Sequence, residues 1–324
     1  MTLFIYEHLT SGALSDKPYS PDLMHEGNAM LQAICTDLVA LGHRLTVMRD
    51  ARLNNDFYIQ AQIELLEICD VGQYQAAWQQ ALSHYQLFFI IAPETNGVLA
   101  QRTQELERYN KTILGCNSTS IQLCSDKLAC FKHLQQYALP TPYTQLAEDW
   151  RNDSKQTNSH WVVKPRDGAG CEDTYRFNSA ELEANLPDLI KNHPRQCIVQ
   201  PYIEGQDLSL SLFISDRSIE LVSINVQHID IMDQKLNLLN CKPHQAGFLD
   251  ETRALALANS IHATMPGLWG FVGIDLIQTQ DRLWIIDINP RLTSSYAESA
   301  MREHMNPAIP LHQNLTHRLP AHYE

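Results

Sequence analysis

YQLFFIIAPE, residues 85–94, is apolar on both faces of any strand it could form. Such a strand belongs inside a sheet covered by helices on both sides, the usual setting of parallel sheets. The segments around it agree. LFIYE (3–7) and HRLTVMRD (43–50) read as further strands, and TILGC (112–116) as a short one. HEGNAMLQAICTDLVALG (25–42) reads as an amphipathic helix closed by Gly42, with more helix around 71–84 and over RTQELERYN. This alternation argues a doubly wound, mostly parallel α/β sheet. The first strand is not followed by G-x-G-x-x-G, since YEHLTSG holds one glycine, so this domain is assigned no nucleotide cofactor.

From about residue 118 the pattern changes. SDKLACFKHLQQYALPTP reads as a helix capped by Ser125 or Asp126 and closed by Leu139-Pro140-Thr141-Pro142. Shorter strands follow at 160–165, 197–203, 208–215, 219–226, 271–278 and 283–289, suggesting an antiparallel layer. The polar run RNDSKQTNS (151–159) reads as an exposed loop, and His312, His317 and His322 as a solvated tail. A length of 324 residues accommodates two such domains.

A formal net charge of −13 argues against non-specific binding to nucleic acid or to anionic membranes. No segment approaches the roughly 18–20 apolar residues of a membrane span. The N-terminus lacks a basic region and is interrupted by Glu7 and His8, so it reads as a strand with no signal peptide. Eight cysteines without a Cys-x-x-Cys pair argue against structural zinc and a disulfide framework, which points to the cytoplasm.

Four stretches could carry chemistry. FVGIDLIQ and LWIIDINPR are joined by a short turn, and an antiparallel pairing brings Asp275 close to Asp287, with direct opposition one of the registers open to it. Simple alternation puts Leu283, Ile285, Asp287 and Asn289 on one face. Two opposed carboxylates repel unless a positive group lies between them. With the Asn289 carbonyl they form a set of hard oxygen donors suited to Mg²⁺; the alternative is a hairpin with solvated acids and an Asn-Pro turn. HWVVKPRDGAGCEDT delivers Lys164 at a strand end before Gly168 and Gly170, which suits phosphate or an ordinary surface loop. CIVQPYIEGQDLSLSL reads as a hairpin with an acidic turn, or as a hinge with Asp207 as a hydroxyl acceptor. Asp126-Lys127 opens a helix, where a lysine opposes the helix dipole unless an anion is bound.

The order Asp-Lys, Lys-Pro with a glycine loop, Gln-Pro-Tyr-Ile-Glu-Gly-x-Asp, Gly-Ile-Asp and Asp-Ile-Asn-Pro-Arg resembles the ATP-grasp superfamily of carboxylate–amine ligases over nearly the whole chain. That resemblance implies a Rossmann-like domain over 1–117 and an ATP-grasp domain of two α+β subdomains over 118–324, with a lid subdomain at about 143–202. It implies ATP and Mg²⁺, or Mn²⁺ in its place, as cofactors. Lys127 and Lys164 match the ATP-phosphate lysines, and Gly168-Ala169-Gly170 matches the mobile lid. Gln200, Tyr202 and Ile203 match the adenine hinge. Asp207 falls where the family often has a longer ribose-binding Glu. Asp275, Asp287 and Asn289 match the metal set, in which Glu is common at the second position. Arg291 and Lys164 match catalytic positions.

HEGNAML (25–31), IIAPETNG (90–97), CSDK (124–127), KPRDGAGCE (164–172) and INPRLTSSY (288–296) further resemble tyramine–glutamate ligases of methanofuran-type cofactor synthesis. The implied reaction activates a glutamate γ-carboxylate as an acylphosphate and passes it to an aromatic amine. The acid is expected beside Arg291 and Thr293-Ser294-Ser295, where a plain N-cap is the alternative. Glu7 is expected at the substrate ammonium, Glu26 as a helix cap, and Asn225, Gln227 and His228 around the amine. Expected partners are small-molecule acid and amine substrates, with neither nucleic acid nor membrane; a homodimer is compatible with the sequence. The alternatives are a ligase for another amino-acid and amine pair, or a catalytically silent ATP-binding sensor.

Overall fold

The computed structural model describes residues 1–18, 21–53, 57, 60–151, 159–168, 170–193, 195–298 and 305–319. Among these residues the strands form two sheets. The first contains β1 (Thr2–Glu7), β2 (Arg44–Asp50), β3 (Ile63–Ile68), β4 (Leu87–Ile91) and β5 (Thr112–Ile113), in the order β3-β2-β1-β4-β5 and parallel throughout. Its helices are α1 (Pro21–Ala40), α2 (Val71–His84) and α3 (Val98–Arg108). Phe88 and Ile90 pack on one side of β4, Leu87, Phe89 and Ile91 on the other, as a strand buried on both faces requires. Strand β3 lies at the sheet edge with Glu64 and Glu67 exposed, which hides it from a search for apolar periodicity.

Helices α4 (Ser118–Ser125) and α5 (Lys127–Gln136) lead into the second sheet. Strands β6 (Gln145–Leu146), β7 (His160–Pro165), β8 (Tyr175–Asn178) and β9 (Cys197–Pro201) form one part of it, covered by α6 (Ser179–Asn192) around a small core of Trp150, Trp161, Phe177 and Leu182. Strands β10 (Gln206–Ile214), β11 (Ile219–Met232), β12 (Lys235–Lys242), β13 (Gly270–Gln278) and β14 (Leu283–Asn289) form the other, with α7 (Glu251–Thr264) against its buried face. All these strands pair antiparallel, and the two parts are joined between β12 and β8 at Lys235 and Tyr175 alone. A junction so narrow leaves a crease between two α+β subdomains. α8 (Ile309–Arg318) returns to the first domain.

The structure departs from the sequence expectations at three places. Strands β9 and β10 are not a hairpin, since β9 pairs with β6 and β7 while β10 pairs with β11 and β13. Glu26 is no cap, because α1 begins five residues earlier and leaves Glu26 exposed within the helix. The C-terminal histidines are not all in a free tail: α8 carries His312 and His317, and His312 Nδ1 lies 2.9 Å from Nε2 of buried His43. His322 and the central part of the 151–159 stretch lie outside the described residues.

Candidate active site

The pairing of β13 with β14 aligns Asp275 with Asp287 and Leu276 with Ile285, so Ile286 is a bulge residue without a partner. The bulge overturns the simple alternation. Leu283, Ile285 and Ile288 all enter the core, and Asp287 and Asn289 turn to the face that bears Asp275. An extra residue in one strand shifts the facing of everything after it.

Asp275 is half-buried beside Asp287, and both desolvation and that neighbouring carboxylate push its pKa up. Two amides offset this: Asn289 Nδ2 donates to Asp275 Oδ2 at 3.0 Å, and Gln227 Nε2 to Oδ1 at 2.9 Å. Asp287 pairs with the ammonium of Lys127, which also donates to the Gly168 carbonyl at 2.9 Å. Lys127 follows the cap residue Asp126, whose carboxylate accepts from Leu128 and Ala129 N–H and from Arg166 Nε at 2.8 Å. The helix start therefore holds both Lys127 and the root of the glycine loop.

Lys164 is the last but one residue of β7 and is 7% exposed. Burial, then repulsion from Lys127, pushes its pKa down to about 8. Among the described residues it forms no ion pair, which leaves its charge for an anionic ligand. Gly168 has φ +147, a backbone conformation open to glycine alone, and Gly170 φ +67, in the left-handed region that favours glycine. Ala169, between them, lies outside the described residues.

These groups line a cavity of about 170 Å³ in the crease. Lys127, Lys164, Gly168, Gly170, Gln200, Tyr202, Ile203, Asp207, Asp275 and Asp287 all border it, with apolar walls from Val162, Ile229, Ile277 and Ile286. The Gln200 side chain is committed to Thr144 Oγ1 at 2.7 Å, and the Tyr202 N–H to the His160 carbonyl at 3.0 Å. Among the described residues the Ile203 N–H has no partner, so the hinge offers it as a donor to a flat ligand. Asp207 is the second residue of β10, and burial followed by the Asp275 charge pushes its pKa up to about 6.

A second, larger cavity of about 540 Å³ meets the first at Asp275, Gln227, Gly170, Glu172 and Leu238. It is walled by Asn289, Arg291, Thr293, Ser294 and Ser295 on one side and by Glu7, His8, Leu14, Glu26 and Met30 of the first domain on the other. Glu7, at the end of β1, accepts from the N–H groups of Leu9 (3.2 Å) and Thr10 (2.7 Å). Its burial pushes its pKa up to about 7 despite those bonds. Thr293 does not cap the 3₁₀ turn Ser294–Ala297; its hydroxyl meets Ser295 Oγ at 3.0 Å, and Ser295 Oγ meets Ser211 Oγ at 3.0 Å. The expected plain N-cap is thus absent.

Residues 124–295, more than half of the chain, match the ATP-grasp domain family. The chain belongs to the ATP-grasp family. Residues 43–121 match the pre-ATP-grasp domain that precedes such domains. The tyramine–L-glutamate ligase of Methanocaldococcus jannaschii is 24% identical over 299 residues, covering 90% of this chain and 83% of the relative. An ATP-grasp superfamily protein from Archaeoglobus fulgidus superposes with a TM-score of 0.71 at 23% identity, covering 96% of this chain and 87% of the other. The D-alanine–D-alanine ligase of Bacillus anthracis, solved with ATP, gives 0.64 at 13% identity, covering 98% of each chain. This ATP-grasp chain is an ATP-dependent ligase of the C–N bond-forming kind.

Within the ATP-grasp site, other expectations need adjustment. Asn225 is fully buried and binds Ser209 and Ser211 at 3.0 Å each, bracing the sheet under the cavity and not lining it. His228 is exposed, one residue out of phase with Gln227 on β11. Glu94 is a site residue that the sequence alone does not reveal. This buried residue follows β4 and binds Arg291 Nε through both oxygens, at 2.9 and 3.0 Å. The signal was present in IIAPETNG, an acid among apolar residues, but nothing in its spacing named its partner.

Proposed function

We propose that the protein joins the γ-carboxylate of glutamate to tyramine or a closely related aromatic amine, converting ATP to ADP and phosphate. The observation that carries this reading is that two cavities meet at Asp275, the carboxylate that stands across from Asp287. The narrower one carries both lysines, the glycines and the hinge. The wider one carries the acids, the arginine and the first-domain wall. A γ-phosphate lying beside Asp275 and Asp287 would face an acid in the wider cavity.

The donor set fits a divalent cation. Asp275, Asp287 and the Asn289 amide oxygen are hard ligands; Lys127 offsets one of the two carboxylate charges, and Asp275 accepts hydrogen bonds from two amide groups. Those three residues would hold Mg²⁺, or Mn²⁺, whose chemistry is charge neutralisation at the transferring phosphoryl group. Lys127 and Lys164 grip the phosphates. The substrate carboxylate oxygen bonds to the γ-phosphorus as the β–γ bridging bond breaks, giving an acylphosphate and ADP. The bound ammonium gives one proton to solvent; the neutral amine nitrogen then bonds to the acyl carbon, the carbon–oxygen bond to phosphate breaks, and the second proton passes to the departing phosphate.

The wider cavity suits such an amine. Glu7, Glu26, Glu172 and Asp275 outnumber Arg291 there, and Leu14, Met30, Ile91 and Leu238 offer an apolar bed for a ring. Glu7 holds the ammonium, and the N–H groups at Ser294 and Ser295 face the acid. The lid at about 143–202 closes on ATP and keeps water from the acylphosphate. Domains at 1–117 and 118–324 divide the work between substrate and nucleotide. The similarity to tyramine–L-glutamate ligases supports this substrate pair, and hence a place in methanofuran-type cofactor synthesis.

The test is phosphate release from ATP and Mg²⁺ with L-glutamate, with and without tyramine, followed by product mass. Release that needs both substrates, and a product at their summed mass less water, is expected. Strong ATP binding without turnover would remove this substrate pair and leave other acids and amines to be screened.

A further inference from the structure

The first domain reaches into the catalytic site through one short turn. Glu94 is 4% exposed and grips Arg291 Nε with both oxygens, at 2.9 and 3.0 Å. Arg291 Nη1 donates to the Leu292 carbonyl at 3.1 Å, and the Arg291 N–H to the Asn289 carbonyl at 2.9 Å. Among the described residues Nη2 has no partner, and Arg291 borders the wider cavity. The guanidinium is therefore fixed along one edge, with one nitrogen free for a ligand.

Two residues on, the same turn touches the other catalytic loop. The Asn96 N–H donates to Asp167 Oδ2 at 3.0 Å, beside Gly168. Asn96 (φ +57) and Gly97 (φ +69) hold successive left-handed conformations that bend the chain back toward both contacts. Asparagine and glycine are the residues that tolerate this bend best.

We propose that Glu94 is a positioning residue for Arg291, and that the turn from Glu94 to Gly97 ties Arg291 to the root of the glycine loop. The ion pair offers little net charge to an incoming acid. Its contribution is direction: a planar fork held at Nε presents Nη2 at a fixed angle to the acyl group being transferred. A lysine at 291 could not be held this way, because it lacks the second donor edge. Arg291 without Glu94 would keep its charge and lose its aim. This inference rests on the ligase reading for its kinetic part.

The experiment compares Glu94→Gln, Glu94→Asp, Arg291→Ala and the Glu94→Gln/Arg291→Ala double variant, in the full-length protein. Glu94→Gln is expected to lower kcat at least tenfold with the KM for ATP unchanged, and Glu94→Asp to recover part of that loss. In the Arg291→Ala background, Glu94→Gln is expected to cost nothing further, since residues acting as one unit are non-additive. Losses that multiply in the double variant, or an unaffected Glu94→Gln enzyme, would overturn the proposal. A second readout does not need turnover: phenylglyoxal should modify Arg291 faster in Glu94→Gln than in the parent, measured on the peptide by mass. A parent protein that forms no amide would sink the ligase reading alone. Equal modification rates would sink the positioning of Arg291, whatever the activity.

Discussion

Asp287 stands directly across from Asp275 while the next pair along is Leu276 with Ile285, so the strand passes over Ile286 to bring the two acids together. The bulge is what lets one strand both fill the core with Leu283, Ile285 and Ile288 and present Asp287 and Asn289 to the site. Deleting Ile286 is expected to return Asp287 and Asn289 toward the core face. That variant should lose ATP-dependent turnover and unfold at lower temperature, because an unpaired buried charge costs several kcal/mol. A deletion variant with parental melting and activity would show that the bulge has no such role.

Asp287→Asn should keep the fold, since an amide fills the same volume and still accepts from Lys127. Turnover should fall by about two orders of magnitude or more, as expected when charge neutralisation at a phosphoryl group is lost. Circular dichroism and steady-state rates read the two effects separately. Near-normal rates would remove Asp287 from the metal set.

Lys164 titrates near 8 in the free protein, below the ordinary lysine value, because burial and Lys127 disfavour its charge. Bound phosphates would restore that charge, so ATP binding near pH 8 should take up a proton. Above pH 8 affinity should decline as Lys164 becomes neutral. Calorimetry in buffers of differing ionisation enthalpy measures the uptake. Lys164→Ala should bind ATP more weakly and show neither the uptake nor the decline.

Glu7 is raised from 4.5 to about 7 by burial. Its folded pKa lies above its unfolded one, so its stabilising contribution is complete below pH 4.5 and is lost as pH rises to 7. The swing is bounded by about 3 kcal/mol, from 1.36 kcal/mol per pKa unit. Glu7→Gln should flatten the dependence of unfolding free energy on pH between 5 and 8, and raise the KM for the amine. An unchanged slope in urea titrations across that range would mean Glu7 is not the group responsible.

Gly27 lies within α1, where alanine ordinarily stabilises a helix by about 1 kcal/mol. Here an added Cβ would sit 2.8 Å from the Glu7 carboxylate, which is tied to Leu9 and Thr10 and cannot withdraw. Gly27→Ala should therefore destabilise, by about 1–3 kcal/mol as in other overpacked sites. Thermal melting reads the sign.

The apolar strand at 85–94 announced a parallel sheet because burial on both faces leaves no other home for it. The opposed aspartates were legible for a similar reason: a short turn between two strand patterns fixes their approximate register. The facing of Asp287 was not legible, because a bulge is set by packing against β13 and leaves no mark in the alternation. Strand β3 was missed because its edge position exposes two glutamates. The hairpin expected at Glu204-Gly205 failed because local turn chemistry cannot tell which strands a segment pairs with across the sheet. Glu94 was visible as an acid in an apolar run, but its partner Arg291 lies 197 residues away. Contacts of that span come from the tertiary fold.

The central claim is that a carboxylate is activated by phosphoryl transfer beside Asp275 and Asp287. It is tested most directly by turnover of L-glutamate carrying ¹⁸O in its γ-carboxylate, with ATP, Mg²⁺ and tyramine, followed by mass analysis of the phosphate released. One ¹⁸O per phosphate is the expected result, because the acylphosphate oxygen leaves with phosphorus. Phosphate without ¹⁸O, its fourth oxygen taken from solvent, would contradict the account.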